Sequence, residues 1–123
     1  LCTSSNDPDI QLIQASQLQK GDACVLISHS GRSRTTVNTA RRAREMGATV
    51  ISITNYPYSQ LARLSDCVLT TASFMEHSGE VITKRISELV LVESLFISVM
   101  LRGGGAYQTA LARSNEALVE NKL

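Results

Sequence analysis

Between residues 28 and 33 the chain reads Ser28-His29-Ser30-Gly31-Arg32-Ser33. Three hydroxyls, one glycine and a run of backbone N–H groups lie together there. Gly31 lets the backbone turn tightly and approach a ligand closely. Small hydroxyls donate to phosphate oxygens without crowding them. The segment also opens directly into a helical stretch, and the unpaired N–H groups and dipole of a helix start favour an anion. Arg32 and Arg34 add positive potential nearby. These residues are suited to holding a phosphate. The segment has neither the G-x-x-x-x-G-K-[ST] of a Walker loop nor the G-x-G-x-x-G of a dinucleotide site, which disfavours those ligands. The plainer reading is a serine-rich turn that only caps the helix.

Other reactive groups make weaker patterns. His29 beside Ser28 and Ser30 does not make a hydrolase, because a triad also needs an orienting carboxylate in the right geometry. The cysteines (Cys2, Cys24, Cys67) are odd in number and widely spaced, and there are only two histidines, His29 and His77. That is no zinc pattern, so no metal is expected. Cys24 and Cys67 sit inside apolar runs and read as buried free thiols. Such cysteine usage points to a reducing, cytoplasmic setting. Arg41, Arg42 and Arg44 read as a solvated helix face.

The elements that must position these groups follow from length and pattern. The chain has 123 residues, a formal charge of +1, 43% hydrophobic and 19% charged residues. That is one globular domain. With 4% aromatic residues and no Trp, its core is aliphatic. Near-neutral charge argues against gripping nucleic acid alone. The longest mainly apolar stretch, Leu89 to Leu101, is interrupted by Glu93 and is too short to span a bilayer. No signal peptide is visible. The chain starts at Leu1 rather than Met, which reads as a piece of a longer protein.

Asp7 or Asp9 can cap a short helix beginning near Pro8. The continuous apolar run Ala23–Ile27 suits a strand covered on both faces, as in parallel sheets. A helix from about Arg34 to Met46 carries Val37, Ala40, Ala43 and Met46 in line and ends at Gly47. A second strand covers Ala48 to Thr54. Ser59 can cap a short helix bearing Leu61, Ala62 and Leu64. A third strand covers Cys67 to Thr71. The longest helix runs from about Glu80 to Leu101, and its apolar surplus reads mainly as core. Gly103 to Gly105 stop it, and a last amphipathic helix covers about Tyr107 to Asn121. Alternating strands and helices give an α/β, three-layer fold with a parallel sheet. In such a sheet, ligands bind outside the carboxyl ends of the strands, where Ser28–Ser33 lies.

The segment Ile27-Ser28-His29-Ser30-Gly31-Arg32-Ser33 resembles the S-x-S-G-x-[ST] loop of SIS (sugar isomerase) domains. Lys20-Gly21-Asp22, the run Gly47 to Asn55, and Ser59-x-Leu61-Ala62-x-Leu64-Ser65-Asp66 resemble SIS segments too. The nearest subgroup is the sensor domain of RpiR-type bacterial transcription regulators, with "ISHSG", "ITN" and a helix like Lys84-Arg85-Ile86-Ser87-Glu88-Leu89. This resemblance implies a five-stranded parallel sheet of flavodoxin-like order and a phosphorylated sugar as ligand. Ser28, Ser30 and Ser33 match the family's phosphate-binding hydroxyls, His29 fills the variable position, and Gly31 is the tight-turn glycine.

Two departures stand out. The family has an earlier strand and helix, so residues 1–123 would form an SIS-like domain incomplete at its N-terminus. Glu88 stands where related regulators often carry Gln. The resemblance further implies a homodimer or higher homo-oligomer, no cofactor, no membrane partner, and DNA contact only through a separate helix-turn-helix domain. The alternative is a phosphosugar isomerase or related lyase, which needs a Glu or His base. Glu76, His77 and Glu80 are the only cluster that could supply one or touch the sugar. No residue is assigned as catalytic.

Overall fold

The structure, a computed structural model, describes residues 2–72 and 80–120. It divides into two compact units, Leu1–Glu88 and Leu89–Leu123.

In the first unit, helix α1 (Pro8–Ser16) precedes strand β1 (Ala23–Ile27), helix α2 (Arg34–Glu45), strand β2 (Thr49–Thr54), helix α3 (Gln60–Leu64) and strand β3 (Cys67–Thr70). The strands form one parallel sheet in the order β1-β2-β3. Ala23 lies opposite Thr49 and Ile27 opposite Ile53, while Ile51 lies opposite Cys67 and Thr54 opposite Thr70. Side chains alternate across a strand, so Cys24, Leu26 and Val50 share a face. There they join one core cluster with Ala15, Val37, Ala40, Ala43 and Leu61. Helices α1, α2 and α3 therefore pack on the same face. Right-handed crossovers that advance one strand at a time lead to this arrangement. Val37, Ala40 and Ala43 recur at helical spacing, and the small alanines let α2 lie close to the sheet. On the opposite face of β1, Val25 and Ile27 are 49% and 43% exposed, and the outer edge of β1 carries no strand among the described residues.

Local signals explain the helix starts. The Asp7 carboxylate accepts from the amides of Asp9 and Ile10 at 2.9 and 3.0 Å, with Pro8 in the first turn. Ser59 Oγ accepts from the Ala62 amide at 3.3 Å. The arginines on α2 are not merely a solvated face. Arg42 Nε donates to Ser16 Oγ at 3.0 Å, tying α2 to α1, and Arg44 Nη1 donates to the Leu64 carbonyl at 3.2 Å. Cys24 is half-buried, and burial pushes its thiol pKa up. Cys67, expected to be buried, is exposed, because it opens β3, whose two ends are both exposed.

Helix α4 (Glu80–Arg102) crosses the boundary between the units, and helix α5 (Gly104–Glu120) completes the second. The break is shorter than the glycine run suggests. Gly104 takes the left-handed conformation, φ 61°, and α5 starts at that residue. The expectation that Leu89–Met100 would be mainly core is not met in the isolated chain: Leu89, Phe96 and Val99 are 66%, 50% and 51% exposed. Apolar residues occur all round this stretch, and a helix of that kind needs neighbours on more than one side to be buried. Among the described residues, no single helix is long and apolar enough to cross a membrane.

One polar contact closes the amino end of the sheet. The Val50 amide donates to Asp66 Oδ2 at 2.8 Å, and the Asp66 amide donates back to the Val50 carbonyl at 2.8 Å. Asp66→Ala is expected to lower stability by about 1–3 kcal/mol, because the amide of a buried strand residue loses a charged acceptor. A lower urea midpoint with an unchanged slope checks this.

Candidate functional site

The carboxyl ends of β1 and β2 carry two loops that are tied together. The Ser28 amide donates to the Ile53 carbonyl at 3.0 Å, continuing the ladder one residue past β1. The Gly31 amide then donates to the Ser28 carbonyl at 3.1 Å and closes a tight turn. The His29 carbonyl accepts from the Asn55 amide and from Thr54 Oγ1, each at 3.0 Å. Thr54 Oγ1 in turn accepts from the Tyr56 amide at 3.2 Å. The Gly31 carbonyl accepts from the Leu61 amide at 3.0 Å. The His29 ring meets the Tyr56 ring edge-on, with centroids 5.8 Å apart.

Gly31 is where this junction is tightest. Its φ is 60°, and a Cβ built there would overlap Ser59 Oγ and come within 2.5 Å of Ser59 Cβ and 3.1 Å of Thr54 Oγ1. The glycine is thus required both by conformation and by close approach. Thr54, Asn55 and Ser59 are positioning residues whose part in the site was not assigned from sequence. Their only sequence signal was the resemblance of the segments around them.

The start of α2 is built differently from those of α1 and α3. Ser33 occupies its N-cap but makes no side-chain capping bond. Its hydroxyl pairs with Thr35 Oγ1 at 3.0 Å instead. The first turn holds no acidic residue, although acids there would be favoured by the dipole. Among the described residues, no protein acceptor takes the amides of Ser30, Ser33, Arg34, Thr35 or Thr36. Ser28 and Ser33 are partly exposed and Ser30 is exposed. Ser30 Oγ accepts only a long bond, 3.3 Å, from the Arg32 amide. No carboxylate pairs with Arg32 or Arg34 among the described residues. Free amides, accessible hydroxyls and unpaired guanidinium groups around one turn are what an oxyanion needs.

Of the other residues singled out, Glu76 and His77 lie outside the described residues. Glu80 opens α4, and its side chain also lies outside them. Glu88 is only 7% exposed, with its carboxylate 3.3 Å from Arg85 Nη1, so it is not a solvated surface substitution. Among the described residues, no group of three His, Cys, Asp or Glu side chains could hold a metal ion.

Parallel sheet and hydroxyl-lined turn together define an α/β domain with its candidate site at the carboxyl ends of the strands, and comparison with known proteins gives the family. The chain belongs to the SIS domain family, which matches residues 4–98. It is 35% identical over 124 residues to an uncharacterised HTH-type transcriptional regulator of Caldanaerobacter subterraneus, covering 99% of this chain and 44% of that protein. It is 32% identical over 99 residues to the HTH-type transcriptional regulator RpiR of Escherichia coli, covering 80% of this chain and 33% of that one. The chain therefore spans less than half the length of these relatives. Its fold is shared with the NanR protein of Vibrio vulnificus, solved in complex with ManNAc-6P. That match has a TM-score of 0.82 at 24% identity and covers 94% of this chain and 44% of NanR.

Gly31→Ala is expected to cost about 2–4 kcal/mol, combining left-handed backbone strain with overpacking against Ser59. Adding Ser59→Gly should recover the steric share and leave the backbone share. Chemical denaturation of the single and double variants reads both.

Proposed function

We propose that the chain is the phosphosugar-binding, effector-sensing module of an HTH-type transcriptional regulator. The observation that carries this reading is the turn at Gly31, held between β1 and an α2 start whose amides no protein group accepts among the described residues. The phosphate sits on the hydroxyls of Ser28, Ser30 and Ser33 and on the amides from Ser33 into α2, with His29 at the variable position of the loop. RpiR is a transcriptional regulator and NanR was solved with a sugar phosphate, which supports the same assignment. The isomerase alternative needs a base from Glu76, His77 or Glu80, or one from a neighbouring subunit.

On this reading the whole regulator is a cytoplasmic protein that reaches DNA through a separate helix-turn-helix domain. The open β1 edge and the exposed Val25 and Ile27 support a further parallel strand at that edge in the complete protein. It would form the other wall of the cleft at the switch point of the sheet. The apolar residues exposed on α4 and α5, among them Leu89, Phe96, Val99 and Leu118, support pairing with a second copy.

Each charge-assisted hydrogen bond to the phosphate contributes about 1.5–3 kcal/mol net. Ser30→Ala should therefore weaken sugar-phosphate binding about tenfold or more, as read by calorimetry on the complete regulator. Unchanged affinity would remove the cradle. Turnover of a sugar phosphate by the unmodified protein would favour the isomerase.

A further inference from the structure

Beside the Gly31 turn lies a shallow depression of about 150 Å³ lined by Arg32, Tyr56, Pro57, Tyr58 and Ser59. We infer that this depression is a second subsite of the same cleft, and that it takes the carboxylate of a phosphorylated sugar acid. The inference rests on the phosphosugar reading above and adds the chemical class of the ligand.

Position is the first argument. The depression takes Arg32 from the turn after β1 and Ser59 from the Gly31 contact, so it adjoins the α2 start and can receive one end of a ligand whose phosphate is held there. Charge is the second. Arg32 pairs with no carboxylate among the described residues, yet it lines a concave wall rather than an open convex surface. Its planar fork matches a carboxylate with two parallel hydrogen bonds.

The wall itself is the third argument. The chain has only three tyrosines, and two of them meet here, Tyr56 at 52% and Tyr58 at 86% exposure. Aromatic faces cover the C–H surface of a sugar chain, and phenol hydroxyls reach its hydroxyl groups. The nearby start of α3 offers no rival anion site. Its Leu61 amide is taken by the Gly31 carbonyl and its Ala62 amide by Ser59 Oγ. Among the described residues, Arg32 is the only cation lining this wall, while the α2 amides remain for the phosphate. The two subsites stay in register because Gly31, Ser59 and the His29 carbonyl lock the two loops together.

Two open-chain probes isolate the claim. 6-Phosphogluconate and glucitol 6-phosphate differ only at C1, where one has a carboxylate and the other a hydroxymethyl group. Calorimetry on the complete regulator should show the acid binding about tenfold or more tighter. Arg32→Gln should reduce that ratio to about one, and Arg32→Lys should leave an intermediate ratio, since it keeps the charge and loses the fork. Equal affinity for the two probes, or an Arg32→Gln variant that weakens both by the same factor, overturns the carboxylate subsite and leaves the phosphate reading standing. Failure of both probes while a neutral sugar phosphate such as N-acetylmannosamine 6-phosphate binds overturns the carboxylate subsite alone, and failure of all three overturns the phosphosugar reading itself.

Discussion

Everything at the carboxyl end of the sheet depends on a single close approach, that of Gly31 to Ser59. No side chain fits between them, so the turn after β1 rests directly on the residue that caps α3. From that contact the Gly31 carbonyl reaches the Leu61 amide, and the His29 carbonyl gathers the Asn55 amide and the Thr54 hydroxyl. The two loops thus form one block. A loop free to move would have to be ordered by its ligand, at a cost of about 1–2 kcal/mol for each residue fixed. Here that ordering is already done by the fold, which is the physical meaning of a preorganised site.

The same block explains why α2 starts as it does. Helices α1 and α3 open with side chains that bind their first amides. Helix α2 opens with Ser33, whose hydroxyl turns to Thr35, and with Arg34 where the dipole would favour an acid. A missing cap typically forfeits about 1 kcal/mol of helix stability. The core beneath makes this tolerable, since Val37, Ala40 and Ala43 hold α2 to the sheet through burial that the first turn does not share. Local stability is lower where an anion would restore it.

Much of this was legible in the residues. The run Ala23–Ile27 followed by serines and glycine marks both a strand and the turn above it, but the cover expected on both faces is not met. Cys24 and Leu26 pack toward the helices, while Val25 and Ile27 on the other face are half exposed, because no described element lies over them. Asp7 and Ser59 announce helix starts because their side chains accept from nearby amides. What was not legible depends on partners distant in sequence. The exposure of Cys67 follows from its place at the start of β3, which periodicity does not encode. Arg42 and Arg44 look like solvent-facing charges until α1 and α3 are placed beside them. The apolar length of Leu89–Met100 reads as core, since composition records how much surface wants to be buried and not whether this chain alone buries it. Arg32, Tyr56 and Tyr58 become one wall only when β1 and β2 pair in register and bring their loops together.

A rigid cradle also constrains how a regulator of this kind could respond. A ligand shifts a conformational equilibrium only by the difference in its affinity for the two states. The phosphate contacts proposed here lie on a block fixed by glycine packing and backbone hydrogen bonds. Such contacts are nearly the same in any state that leaves the block intact, so they add affinity to all states alike. A differential of about 5.5 kcal/mol is needed to reverse a 1:99 population, and it has to come from contacts that exist in one state only. On the proposed reading those contacts belong to the sugar end of the ligand, beyond the block, where the wall formed by Arg32, Tyr56 and Tyr58 is exposed. The phosphate would then set how tightly the effector is held. The sugar end would set both which effector is recognised and whether its binding is felt elsewhere in the protein.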